Sequence, residues 1–218
     1  MPLLLKMFSG LVFMYIQPAA GAFFDEDFMA IDKCRKGDVE SFGILVERYQ
    51  KKMLNIALSI TGDYEDACDA VQEAFISAYK ALDQFKGDSK FLTWLTAIVV
   101  NKSRNRLAKH AAIKKYFAGS IDDTVETENG TIGYEHASSE DSPQKKLEQR
   151  ELDKKVRKCI FMMETELSEV LVLREIQGFS YEEISGMLKI PDGTVKSRLF
   201  RARRVLKDNL MVAFGDAW

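Results

Sequence analysis

Residues 178–210, GFSYEEISGMLKIPDGTVKSRLFRARRVLKDNL, admit few folds. Ser180, followed three residues later by Glu183, has the form of a capping box. Its hydroxyl can accept from the Glu183 amide while the Glu183 carboxylate reaches back, and acids in the first turn oppose the helix dipole. Ile184, Met187 and Leu188 then recur at helical spacing until Lys189-Ile190-Pro191-Asp192-Gly193 stops the helix. A second helix is expected to open with Thr194 as its cap. On it, Val195, Leu199, Ala202 and Leu206 form one narrow apolar stripe, and Ser197, Phe200, Arg201 and Arg204 point the other way. Between Thr194 and Lys207 stand six Lys or Arg residues and no acid. A helix made basic only for solubility mixes signs at i±4, and this one does not. Two helices joined by a short Gly-containing turn, the second cationic on its outward face, make a helix-turn-helix that can enter a DNA major groove.

The rest of the chain has to be compatible with that. At 218 residues, 46% hydrophobic and 29% charged, it suits one or two soluble domains. A net charge of −2 argues against a nucleic-acid binder until its distribution is considered: residues 101–115 carry six Lys or Arg and no acid, residues 120–141 seven acids and no Lys or Arg. Cys34, Cys68 and Cys159 are odd in number and widely spaced, and the histidines are His110 and His136. Neither a disulfide framework nor a metal site is supported, so buried thiols in a reducing cytosol are expected. No nucleophile–base constellation is present, and the chain is read as a non-enzyme with no cofactor and no small-molecule substrate.

Residues 1–24, MPLLLKMFSGLVFMYIQPAAGAFF, are apolar and include Ala20-Gly21-Ala22, which resembles a signal-peptidase site. Export conflicts with a C-terminal DNA reader. A start assigned too far upstream, with Met14 as one alternative, or a dispensable extension is the favoured reading, and the location is expected to be cytoplasmic.

From residue 25 the pattern is helical. Phe42, Leu45, Val46 and Tyr49 share one face, and Thr61-Gly62-Asp63 breaks that helix. Tyr64, Ala67, Cys68, Val71, Phe75, Ala78 and Leu82 form the stripe of the next, whose opposite face carries Glu65, Asp66, Asp69, Gln72 and Glu73. Residues 83–90 read as a polar loop with one exposed aromatic, Phe85. Phe91, Trp94, Leu95, Ile98 and Val99 stripe a further helix that runs into basic residues around Asn101 and Arg106. Aromatics beside a basic helix suit an unpaired strand, with cations on phosphates and a ring or pocket for an unstacked base. Residues 118–143 lack apolar periodicity and read as an acidic flexible linker, after which residues 144–163 and 167–176 are helical again. The expected fold is therefore all-α: two small helical domains, residues 25–112 and 144–218, joined by a linker at 113–143.

Two blocks together resemble the extracytoplasmic-function (ECF) group of bacterial RNA polymerase sigma factors, of the sigma-70 family. GDYEDACDAVQEAFISAYKALDQFKGDSKFLTWLTAIVVNKSRNR is similar to region 2, and ELSEVLVLREIQGFSYEEISGMLKIPDGTVKSRLFRARRVLKDNL to region 4. The resemblance implies core RNA polymerase and promoter DNA as partners, usually with a controlling anti-sigma factor. It implies that Asp66, Asp69, Gln72 and Glu73, with Phe75 beside them, dock on the polymerase clamp helices. The loop holding Phe85, Lys86 and Lys90 would capture a flipped minus-ten base, with Trp94, Asn101, Arg104 and Arg106 meeting the strand. Thr194, Lys196, Ser197, Arg198, Arg201 and Arg204 would read the minus-thirty-five element. The chain departs from the family at Tyr64 to Cys68, at Thr165 to Leu167 where Pro-Pro is common, and at Glu169, where a basic residue is common. A dimeric transcriptional regulator could share the helix-turn-helix but would replace residues 62–106 with a ligand-binding or phosphoacceptor domain. A secreted binding protein rests on residues 1–24 alone.

Overall fold

Apolar stripes interrupted by Gly, Pro and Asp stops become helices separated by tight turns in this computed structural model, which describes residues 20–117 and 143–214. The N-terminal half holds α1 (Ala20–Arg35), α2 (Glu40–Thr61), α3 (Tyr64–Lys80), a 3-10 turn (Leu82–Gln84) and α4 (Phe91–Phe117). The C-terminal half holds α5 (Pro143–Phe161), α6 (Thr165–Leu171), a π-helical turn (Val172–Ile176), α7 (Tyr181–Leu188) and α8 (Asp192–Phe214). Of the extension expected at 1–24, residues 1–19 lie outside the described residues and 20–24 open α1; of the linker expected at 113–143, residues 118–142 lie outside them, while 113–117 end α4 and Pro143 opens α5. Because α4 runs to Phe117, the domain edge expected at 112 falls inside a helix.

In the first module Ile31, Leu45, Met53, Ile56, Phe91 and Leu95 are almost completely buried. The break between α2 and α3 is made by Gly62 in the left-handed region (φ 72°), its amide donating to Leu58 O at 2.9 Å, and by Asp63, whose carboxylate accepts from the Asp66 amide at 2.9 Å. Buried Asp27 ties α1 to α2. It receives the Arg48 guanidinium at 2.5 Å and the Tyr49 hydroxyl, and burial with the nearby carboxylate pushes the Tyr49 phenol well above its ordinary range.

The second module is built on Val170, Leu171, Ile184, Val195, Leu199 and Leu206. Both halves of the capping box form: the Glu183 amide donates to Ser180 Oγ at 3.1 Å and the Ser180 amide to Glu183 Oε2 at 2.8 Å. Ser180→Ala is therefore expected to lower the stability of this module by about 1 kcal/mol, read as a shift in the urea midpoint at unchanged slope.

Two sequence expectations are corrected. Thr194 does not cap the second helix. α8 starts at Asp192, and the Pro191 carbonyl accepts from Thr194 N (2.8 Å) and Val195 N (3.1 Å), so Thr194 lies within the first turn. Proline has no N–H to satisfy and can lead straight into a helix. Residues 167–176 are not one regular helix either, since Gln177 N bonds Val172 O across the π turn. The widened turn follows a run of consecutive buried residues, Leu167 to Leu173, whose last four are all apolar.

The two modules pack against each other. α2 packs on α5, α6 and the π turn, α4 packs on α7, and the buried apolar residues form one cluster through both halves.

Candidate nucleic-acid interface

The stripe of α8 is buried as its spacing requires: Val195, Leu199, Ala202 and Leu206 are each exposed by 2% or less. That orientation turns Lys196, Ser197, Phe200, Arg201, Arg204 and Lys207 to solvent. The flanks of α8 are held by acids from the preceding elements. Arg198 pairs with Glu166, Arg203 with Glu175 at 2.5 Å, and Arg201 Nη2 lies 3.8 Å from Glu164. Arg198, expected at the DNA, is thus turned onto α6 with 19% of its side chain exposed, whereas Arg201 keeps 64%. Thr194 is half-buried. The Lys196 ammonium lies 5.8 Å from the Tyr181 ring centre, which links the two helices of the motif. Phe200, 71% exposed among cations, was not among the expected site residues. Its signal was its place on the outward face with no apolar neighbour at i±4.

On α3, Asp66, Asp69 and Glu73 share one face with exposed Gln72. Arg106 reaches across from α4, its Nη1 at 2.7 Å from Asp69 and 3.5 Å from Asp66, its Nη2 at 2.8 Å from Glu73. Lys102 Nζ is 3.6 Å from Glu73, and His110 Nε2 is 3.2 Å from Asp66. The Arg106 guanidinium holds the Glu73 carboxyl below the usual carboxylate range. The acidic face and the basic helix, expected as two surfaces, are one ion network. The pairs of Arg106 with Asp69 and Glu73 are exposed, of a kind that contributes about 0.2–1 kcal/mol each, whereas its pair with Asp66 is half-buried. Phe75 is buried, edge-on to Phe42 at 6.4 Å, and supports this face from beneath; exposed Ile76 borders it instead.

The loop after α3 differs from its expected form. Phe85 is not exposed: it packs 5.8 Å from Phe91 and 5.1 Å from Trp94, because those two residues, three apart on α4, make a floor for its ring. Arg35 donates to Leu82 O at 2.7 Å and to Phe85 O, fixing the base of the loop. Lys86 to Lys90 form an exposed tip with Gly87 in the left-handed region. Trp94 is half-buried and Asn101 exposed. Arg104 is engaged within the chain, by Glu169 of α6.

Among the described residues no His, Cys, Asp and Glu group could hold a metal ion, and no helix is long and apolar enough to cross a membrane. All three thiols are free. Burial raises the pKa of Cys34 and Cys159, whereas Cys68 is only half-buried.

Known proteins match in the same two places. The family model for sigma-70 region 2 matches residues 45–113, and that for sigma-70 region 4 matches residues 153–206. The RNA polymerase sigma-H factor of Pseudomonas aeruginosa is 34% identical over 193 residues, covering 88% of this chain and 98% of its own. The ECF RNA polymerase sigma-E factor of Escherichia coli K12 is 38% identical over 185 residues, covering 84% and 94%. Among solved structures, CnrH in complex with the cytosolic domain of CnrY aligns with a TM-score of 0.59 at 25% identity, covering 86% of this chain and 99% of that one. The sigma factor RpoE in complex with the anti-sigma factor NepR from Bartonella quintana shares the fold, with a TM-score of 0.60 at 23% identity over 79% and 98%. With both halves matched in order and near full-length relatives at this identity, the chain belongs to the ECF group of RNA polymerase sigma factors, in the sigma-70 family.

Proposed function

We propose that this sigma factor delivers core RNA polymerase to promoters by three surfaces of its own chain. α8 lies in the duplex at the minus-thirty-five element and presents Lys196, Ser197, Arg201 and Arg204, with Phe200 against a thymine methyl. The loop tip from Lys86 to Lys90 and the exposed side of α4, from Trp94 through Asn101, meet the melted minus-ten strand, with Arg104 and Arg106 supplying charge once released from their carboxylates. Asp66, Asp69, Gln72 and Glu73 fasten to the polymerase. The observation that carries this reading is the outward face of α8: from Lys196 to Arg204 it is a cationic surface with an exposed aromatic and no acid, its flanks paired with Glu166 and Glu175.

The core enzyme supplies the chemistry, and this chain supplies recognition and strand capture in the cytoplasm. CnrH is held by the cytosolic domain of CnrY and RpoE by NepR; an anti-sigma factor is the corresponding partner here. Run-off transcription with core polymerase over a promoter library tests the proposal. Transcripts that appear only with this chain support it, and none at any promoter overturns it. In the same assay Phe200→Ala is expected to lower promoter use severalfold at unchanged thermal stability, because an exposed ring contributes little to folding and an apolar base-edge contact adds to discrimination.

A further inference from the structure

The loop tip that faces the strand, Lys86 to Lys90, is exposed throughout and holds little shape of its own: Gly87 takes the left-handed region, and the Ser89 hydroxyl reaches Lys90 O only at 3.4 Å. Its direction is set where the chain enters and leaves it. It leaves at Phe91, 1% exposed, whose ring stands edge-on to Phe85 at 5.8 Å and lies 6.0 Å from Tyr49. It enters at Phe85, where the 3-10 turn gives way to extended backbone (φ −72°, ψ 105°). A helical turn that ends there leaves carbonyls in need of donors. Arg35, the last residue of α1, supplies them: its Nε and Nη2 donate to Leu82 O at 3.2 and 2.7 Å, and Nη2 donates to Phe85 O as well. A planar guanidinium shared between two carbonyls fixes their relative orientation, which a single ammonium cannot do. α1 also reaches the aromatic floor, because Asp27 accepts from the hydroxyl of Tyr49, the ring behind Phe91. This helix lies wholly before residues 45–113, the part that matches sigma-70 region 2.

We propose that Arg35 is a positioning residue for base selection: from α1 it fixes the backbone that enters the tip, so that the tip presents one preformed edge to the extruded minus-ten base. The inference rests on the strand-facing reading of this loop given above. Arg35 acts through the loop and not on the base, since its fork is spent on Leu82 O and Phe85 O. A tip already in its binding shape loses little freedom when the base arrives, so more of the contact energy is left to offset extrusion. A tip free to swivel about Phe85 would still touch a base but would accept several, because rejection of the wrong one needs polar groups held where its edge cannot satisfy them. Loss of Arg35 is therefore felt as lost selectivity at one position of the minus-ten element. Arg35 is itself exposed, so its side chain can be shortened without opening a cavity in the core.

The test is run-off transcription by core polymerase with the full-length chain, on a promoter it uses, with each minus-ten position varied through all four bases. A chain carrying Lys86→Gly, Asp88→Gly, Ser89→Gly and Lys90→Gly keeps both anchors and strips the tip, and the position whose base preference it loses is the captured one. Arg35→Ala is expected to reduce the preference at that same position by about tenfold, the scale of one base contact. Preferences at the other minus-ten positions and at the minus-thirty-five element, polymerase assembly and helicity should not change. Arg35→Lys keeps the charge without the fork and should fall between the two, and it replaces Arg35→Ala in the test if that chain misfolds. A preference kept in full without the fork overturns the inference, and so does a fall spread evenly over every position, which is what general loosening of the module would give. Failure of the underlying loop reading looks different: the glycine tip would then leave every preference as it was, whatever Arg35→Ala did.

Discussion

Arg201→Ala is expected to cut transcription from a cognate promoter by about 5- to 150-fold, the equivalent of the roughly 1–3 kcal/mol that one bidentate base contact contributes. Assembly with core polymerase should not change. Arg201 stands at the centre of the outward face of α8 with 64% of its side chain exposed, and its nearest acid, Glu164, is 3.8 Å away and 74% exposed. So loose a pair contributes little to the fold, and truncation removes a reading group without disturbing the helix beneath it. Arg198 is the internal contrast. It is tightly paired with Glu166 and largely covered, so Arg198→Ala should disturb the α6–α8 packing more than promoter choice. Lys207, exposed one turn beyond Arg204 and Arg203, should act through phosphates alone. Its loss should weaken duplex binding uniformly across sequences and reduce the salt slope by about 1. Duplex binding across a salt series, with a polymerase pull-down alongside, separates the three. A fall in polymerase affinity as large as the fall in promoter use would sink the assignment of Arg201 to DNA.

The helix-turn-helix was legible because its signals are local. Ser180 and Glu183 are three residues apart, Pro191 and Gly193 sit within the turn, and the buried stripe follows a 3.6-residue period with nothing else needed. The α2–α3 break at Gly62 and Asp63 was legible for the same reason. Long-range partners carry no such mark. Arg104 and Glu169 are 65 positions apart, and Arg106 meets its three carboxylates across 33 to 40. From sequence, Arg104 and Arg106 could be placed on a basic helix but not on a carboxylate. Phe85 was misplaced because a polar loop predicts exposure, while the floor made by Phe91 and Trp94 exists only once α4 has folded beneath it. The acidic residue at Glu169, visible as a departure from the family, finds its partner, Arg104, only in the packed fold.

The largest effect is expected from reversing the docking face. Asp69→Arg with Glu73→Arg should remove detectable polymerase assembly, since like charges set against a partner's cations cost several kcal/mol. Those two carboxylates are the exposed members of their network, at 54% and 48%, and the cations they face now are Arg106 and, for Glu73, also Lys102. Two new arginines would also repel Arg106, so a loss of assembly by itself could reflect a displaced α4. Arg106→Ala removes that ambiguity. It uncovers the same carboxylates without adding charge, at a folding cost of about 0.2–1 kcal/mol for each of the exposed pairs with Asp69 and Glu73, plus the half-buried contact with Asp66, which keeps His110 beside it. If α3 docks by its carboxylates, Arg106→Ala should keep or strengthen polymerase binding, because a competitor for Asp69 and Glu73 is gone, while binding of a single-stranded DNA weakens as a cation is lost. If the reversed chain still assembled, α3 would not be the docking face. If Arg106→Ala impaired assembly as much as the double reversal, the network would serve to hold α3 against α4 and the partner would have to be sought on another surface.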